Sequence, residues 1–206
     1  MTVRIDRRQA LHLLAGGLAA AALPAAALPF ANARPYDFWF TRLKYDSGDW
    51  GVDQRMPANV ITALIDYTSL RVDPVERVVA LSDPKVFDAP FCYLAGHKLV
   101  EFNPAERRNF ERYVRNGGFV LVDDCNHDID GLFATSFERQ MAAMFGPKAL
   151  RKLPNSHALY RSFFTFKDGP PPTGMELNGW GDDLVHDYLK GIEIDGRLGV
   201  LYSNKD

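Results

Sequence analysis

Short, purely apolar runs alternate along this chain with stretches of helical periodicity, and that alternation limits the fold more than any other feature. Val78-Val79-Ala80-Leu81, Phe91-Cys92-Tyr93-Leu94-Ala95 and Phe119-Val120-Leu121-Val122 are too short for helices. They also lack the polar alternation of a strand with one wet face, so each predicts a strand buried on both sides. Phe38-Trp39-Phe40-Thr41-Arg42-Leu43 is aromatic and β-prone and reads as the first strand. Between these runs lie helical signals. Pro57 suits a first helical turn, with Val60, Ile61, Leu64 and Ile65 on one face. Asn103, Pro104 and Glu106 have the spacing of a capping box, Phe110, Tyr113 and Val114 form a stripe, and Gly117-Gly118 ends the helix. Thr135 or Ser136 starts a further helix through Phe145, with Phe137, Met141 and Met144 inward. Residues 146–175 read as irregular around Pro170-Pro171-Pro172. Ile192 to Leu198 reads as a hairpin turning at Asp195-Gly196, its second arm continuing through Tyr202.

Buried strands separated by amphipathic helices predict an α/β domain: a mostly parallel sheet between two helix layers, with a C-terminal hairpin. Ligands of such sheets bind at the carboxyl ends of the strands. Three segments are expected there: Ser82-Asp83, Gly96-His97 and Asp123-Asp124-Cys125.

The N-terminus belongs to something else. Arg4, Arg7 and Arg8 precede an apolar run of Leu, Ala and Gly from Ala10 to Ala22, and Ala31-Asn32-Ala33 has the small residues of a cleavage site. Residues 1–33 therefore read as an export signal, and Arg7-Arg8 resembles a twin-arginine motif read by the export machinery. A cut after Ala27 is the alternative. The run is shorter than the roughly 20 apolar residues a membrane span requires. The expected location is the periplasm or beyond, or the membrane surface if the signal is retained. The whole chain has 206 residues and net charge −2. Losing the signal's three arginines and one aspartate leaves 21 basic and 25 acidic residues, net −4, across residues 34–206. That balance argues against nucleic-acid binding. Two cysteines cannot build a disulfide framework or a four-thiolate metal site.

Several short motifs in order carry a resemblance: Phe40-Thr41-Arg42-Leu43-Lys44-Tyr45, Leu81-Ser82-Asp83-Pro84, Tyr93-Leu94-Ala95-Gly96-His97, Asn116-Gly117-Gly118-Phe119-Val120-Leu121-Val122-Asp123-Asp124-Cys125 and His157-Ala158-Leu159-Tyr160. Together they resemble the bacterial family called domain of unknown function 4159. The resemblance implies a flavodoxin-like sheet of the class I glutamine-amidotransferase type and an envelope context, but no established reaction. It also implies a domain that continues beyond the last strand, so a C-terminally truncated domain is one reading of this chain. Amidotransferases of that fold carry a cysteine in a glycine-flanked turn, and here Asp123-Asp124-Cys125-Asn126 stands in that place. Asp123 and His127 occupy the positions of the flanking glycines, and His186 precedes the hairpin rather than following a late strand. No amidotransferase triad can be assembled.

Three functional readings remain. The first is a ligand- or partner-binding domain for a small molecule or envelope protein, using Ser82, Asp83, Gly96, Asp123 and Asn126. The second is a hydrolase or acyl-transfer enzyme with Cys125 or Asp124 as nucleophile and His97 or His127 as base. The third is a metal-dependent hydrolase drawing on Asp123, Asp124, His127 and Asp128, with His97 from the neighbouring strand. Residues 126–131 have alternating oxygen ligands and a glycine like a calcium loop, but Phe137 stands where its closing carboxylate belongs. Nothing in the sequence requires a cofactor. Cys125 has a plainer reading as a small buried residue, and a Cys92–Cys125 disulfide is an alternative in an oxidising envelope. His157 is expected to fix the irregular segment. Asp46-Ser47-Gly48-Asp49-Trp50 is expected to overhang the strand edge, with Trp50 stacking on a ligand or packed inside.

Overall fold

The computed structural model describes residues 35–126, 130–173 and 188–205. The export signal, His127, Asp128 and His186 lie outside the described residues. The elements are β1 (Thr41–Lys44), α1 (Met56–Tyr67), β2 (Arg77–Ala80), β3 (Cys92–Gly96), α2 (Pro104–Arg115), β4 (Val120–Asp124), α3 (Leu132–Phe145), β5 (Arg151–Lys152), β6 (Lys190–Ile194) and β7 (Arg197–Ser203). This is a mixed α/β domain. Its seven-stranded sheet has the order β2-β1-β3-β4-β7-β6-β5, parallel from β2 to β7 and antiparallel over β6 and β5.

The central strands explain the apolar runs. Cys92, Tyr93, Leu94 and Ala95 of β3 are fully buried, and alternate residues serve opposite faces. Cys92 and Leu94 join Val120 and Val122 of β4 in a core with Phe110 and Val114 of α2 and Phe137 and Met141 of α3. Tyr93 and Ala95 join Phe40 in a second core, against Ile61, Val60 and Leu64 of α1. The two cores therefore place α1 on one face and α2 and α3 on the other.

Local chemistry sets the boundaries. Asn103 accepts from the amides of Ala105 and Glu106 while Glu106 accepts from the Asn103 amide, the capping box expected for α2. Asp195 and Gly196 both take left-handed conformations, φ 52° and 75°, as a two-residue hairpin turn between twisted strands demands.

Four expectations need correction. β2 is an edge strand, not one buried on both sides: Val78 is 50% exposed, because nothing among the described residues pairs with β2 beyond β1. The first strand begins at Thr41; Phe38 makes only an isolated bridge to Val72. α3 starts at Leu132 after Gly131, not at Thr135 or Ser136. Those two hydroxyls donate back to the carbonyls of Gly131 and Leu132, the helix-interior alternative to capping. Residues 146–175 also include β5, which extends the sheet beyond the hairpin.

Candidate functional site

β1 sends its chain through α1 to β2 on one side, while β3 lies on the other. The crevice between the carboxyl ends of β1 and β3 is therefore where successive crossovers diverge, the usual ligand position of an open parallel sheet. Residues 45–53 follow β1 there, Gly96-His97-Lys98 follow β3, and Asp123-Asp124-Cys125-Asn126 end β4.

The first cluster centres on His97. Asp49 Oδ1 accepts from the His97 amide at 2.9 Å and the Lys98 amide at 3.0 Å, and its Oδ2 lies 3.0 Å from His97 Nδ1. A carboxylate only accepts, so the facing Nδ1 carries a proton, and in the neutral ring Nε2 then holds the lone pair. The His97 side chain is 44% exposed. Burial works against the Asp49 charge, but the His97 amide, the His97 ring and the Lys98 amide together hold its carboxyl below the ordinary value. Asn126 Nδ2 donates to the His97 carbonyl, while the Asn126 amide donates to Asp124 Oδ1 at 3.2 Å. Asp124, fully buried, accepts from Tyr202 Oη of β7 at 2.6 Å. A hydrogen-bonded path thus links the ends of β7, β4 and β3 to the loop after β1.

Gly96 makes this packing possible. A Cβ there would stand 2.4 Å from Tyr45 Oη and 3.0 Å from Asp49 Oδ1, and Tyr45 Oη donates to the Ala95 carbonyl at 3.0 Å.

The second cluster lies beneath residues 50–53. Cys125 Sγ donates to Asp53 Oδ2 at 2.7 Å, and Tyr93 Oη donates to Asp123 Oδ2 at 2.9 Å. Buried Arg42, paired with Glu76 and lying over the Tyr93 ring, donates to the carbonyls of Val52 and Asp53. Asp53 itself has φ 49°, a left-handed conformation Asp tolerates better than most side chains.

This geometry bears on each candidate. Cys125 is 6% exposed, and among the described residues its thiol meets carboxylate and carbonyl oxygens rather than an imidazole. Burial, then the hydrogen bond to Asp53 and the charges of Asp123 and Asp53, push its pKa well up, opposite to an activated nucleophile. The pairing of His97 with Cys125 is therefore not formed; His97 Nδ1 serves Asp49. Asp124 is enclosed by Tyr202 and the Asn126 amide. Both cysteines are free thiols, which corrects the disulfide alternative.

Ser82 is exposed, and Asp83 caps a short 3-10 turn by accepting from the Lys85 amide. Among the described residues neither is hydrogen-bonded to the His97 cluster. Trp50 packs against the core with Lys44 over its ring, 5.5 Å from the centroid. His157 fixes a local turn, its ring accepting from the Leu159 amide.

Asp53, Asp123 and Cys125 form the group whose ligand atoms all lie within 4.8 Å of one another. Cys125 Sγ and Asp53 Oδ2 are in direct contact, closer than the about 3.5 Å that separates ligands of a tetrahedral zinc with bonds of about 2.0 and 2.3 Å. The 2.7 Å approach of sulfur to oxygen is a hydrogen-bond contact instead. Of the expected metal set, Asp124 is occupied as described, and His127 and Asp128 lie outside the described residues. Asp53 was missed by sequence reasoning altogether, and the pairing of Asp49 with His97 spans 48 positions that no local pattern connects.

Comparison with known families adds one result. The model of a domain of unknown function, DUF4159, matches residues 39–206. The chain belongs to the DUF4159 family. The match covers every element of this DUF4159 domain, from β1 to β7, including both clusters. No curated protein matches the chain. No described helix of the DUF4159 domain is long and apolar enough to cross a membrane.

Proposed function

We propose that this chain is an exported, periplasmic DUF4159 domain that binds a ligand or envelope partner at its strand edge, without amidotransferase turnover. The architecture we assign is the three-layer, flavodoxin-like form of the class I glutamine-amidotransferase type. The order β2-β1-β3-β4-β7 of the parallel strands and the separate cores on the two sheet faces support that assignment. The basic, apolar and small-residue order of residues 1–33 supports export.

The observation that carries the binding reading is the Asp49–His97 pair. It fixes an imidazole at the crevice between β1 and β3, with Nε2 free of any partner among the described residues. Acyl transfer would need a low-pKa thiol and spare backbone amides for an oxyanion. Cys125 has the opposite environment.

The test is a thermal-shift screen of a small-molecule metabolite library against the mature chain and its His97→Ala variant. Compounds that raise the wild-type midpoint and lose the effect in the variant are expected. A library without such compounds, or equal shifts in both proteins, would contradict the assignment of the site.

A further inference from the structure

The ligand class of this crevice can be read from what already fills it. Resting on the binding reading above, we propose that the Gly96-His97-Lys98 turn is a carboxylate-binding cradle whose resident occupant is the Asp49 side chain. Two consecutive backbone amides and the His97 Nδ1–H converge on one carboxylate, at 2.9, 3.0 and 3.0 Å. Successive backbone N–H groups in a turn form an anion-holding concavity. Gly96 keeps it open: a side chain there would stand 3.0 Å from the bound oxygen.

The loop that carries Asp49 is also anchored by contacts other than its carboxylate. Upstream, Glu106 Oε1 accepts from the Asp46 amide at 2.8 Å, and Ser47 Oγ accepts from the Glu101 amide at 2.7 Å. Downstream, Arg42 donates to the carbonyls of Val52 and Asp53. The loop is anchored on both sides, so side-chain rotation alone moves the carboxylate out and vacates the cradle. His97 is held separately through its carbonyl by Asn126.

Charge selects a monoanion. Asp46 and Asp53 lie in the loop that carries Asp49, and Asp123 and Asp124 at the end of β4, so a phosphate dianion would meet more repulsion than a carboxylate. The planar two-oxygen geometry also matches Oδ1 on the amides and Oδ2 on the ring.

The experiment is an acetate titration of the mature chain followed by amide NMR, on wild type, Asp49→Ala and Asp49→Ser, with inorganic phosphate as a parallel arm. Both variants are expected to fold and to show saturable shifts centred on the His97 and Lys98 amides. Their acetate affinity should exceed that of wild type at least tenfold, because no intramolecular carboxylate competes, and should exceed their affinity for phosphate. Asp49→Ala/His97→Ala should lose most of the effect. Folded variants without saturable shifts would overturn the proposal, as would wild-type affinity equal to theirs or tighter phosphate binding. Failure of both variants to fold would overturn it too, by showing that Asp49 is needed to hold the loop. If the cradle fails while metabolites still distinguish wild type from His97→Ala, the carboxylate class falls and the binding reading stands.

Discussion

Asp49 and His97, 48 positions apart, meet through a 3.0 Å contact between Oδ2 and Nδ1 at the crevice where the crossovers from β1 and β3 diverge. The pair fixes the ring's tautomer and directs the donors of one turn toward one carboxylate.

Asp49 holds its charge against burial because three donors face it, so its native pKa lies below its unfolded value. The native state then binds fewer protons, and stability rises with pH. The contribution is fully present above the ordinary aspartate value, about 4, and is lost as the pH falls through the lower native value. Urea unfolding of wild type and Asp49→Asn should show a difference at pH 7 that shrinks at pH 3. A difference independent of pH would contradict the ionised pairing.

Gly96→Ala should destabilise the domain by about 1–3 kcal/mol, the usual cost of overpacking a filled site. The added carbon would strike Tyr45 Oη at 2.4 Å before anything else. Gly96→Ala in a Tyr45→Phe background should therefore cost less than in wild type. Equal costs in the double-mutant cycle would show that the hydroxyl is not the obstacle.

Neither cysteine should react in the native state. Burial pushes the Cys92 thiol up to about 12, leaving about one part in ten thousand as thiolate at pH 8. Cys125 is raised first by burial and then by Asp53. Iodoacetamide at pH 8 should label both only after denaturation, as read by mass spectrometry. Rapid native labelling of Cys125 would revive the thiol nucleophile.

Glu106→Gln should cost about 1–3 kcal/mol in urea unfolding at pH 7, the range for leaving a buried polar group unsatisfied. Both carboxylate oxygens accept backbone amides, from Asp46 and Asn103, and glutamine has only one acceptor oxygen to offer. A change below about 0.5 kcal/mol would show that one of these bonds is dispensable.

Elements governed by neighbours in sequence were legible in it. The capping box at Asn103 and Glu106, the turn at Asp195-Gly196 and the inward face of Phe137, Met141 and Met144 all depend on contacts a few residues apart. Burial of β2 was misread because Val78-Val79 has the same composition whether a strand is central or at an edge; only the partner list of the sheet distinguishes them. Thr135 and Ser136 were misread because the same hydroxyl can cap a helix or bond back within it. At the site, His97 and its placement after Gly96 were visible, and the loop from Asp46 to Trp50 was expected nearby. The partner of each was not. Asp49 pairs with His97 and Asp53 with Cys125 across 48 and 72 positions, brought together by strand order rather than spacing.

The most direct test of the account is the tautomer of His97, read by long-range proton–nitrogen correlation NMR on residues 34–206 at a pH where the ring is neutral. The account predicts a proton fixed on Nδ1 with Nε2 bare, and loss of that preference in Asp49→Ala. A ring protonated at Nε2, or an unbiased mixture unchanged by the substitution, would contradict it.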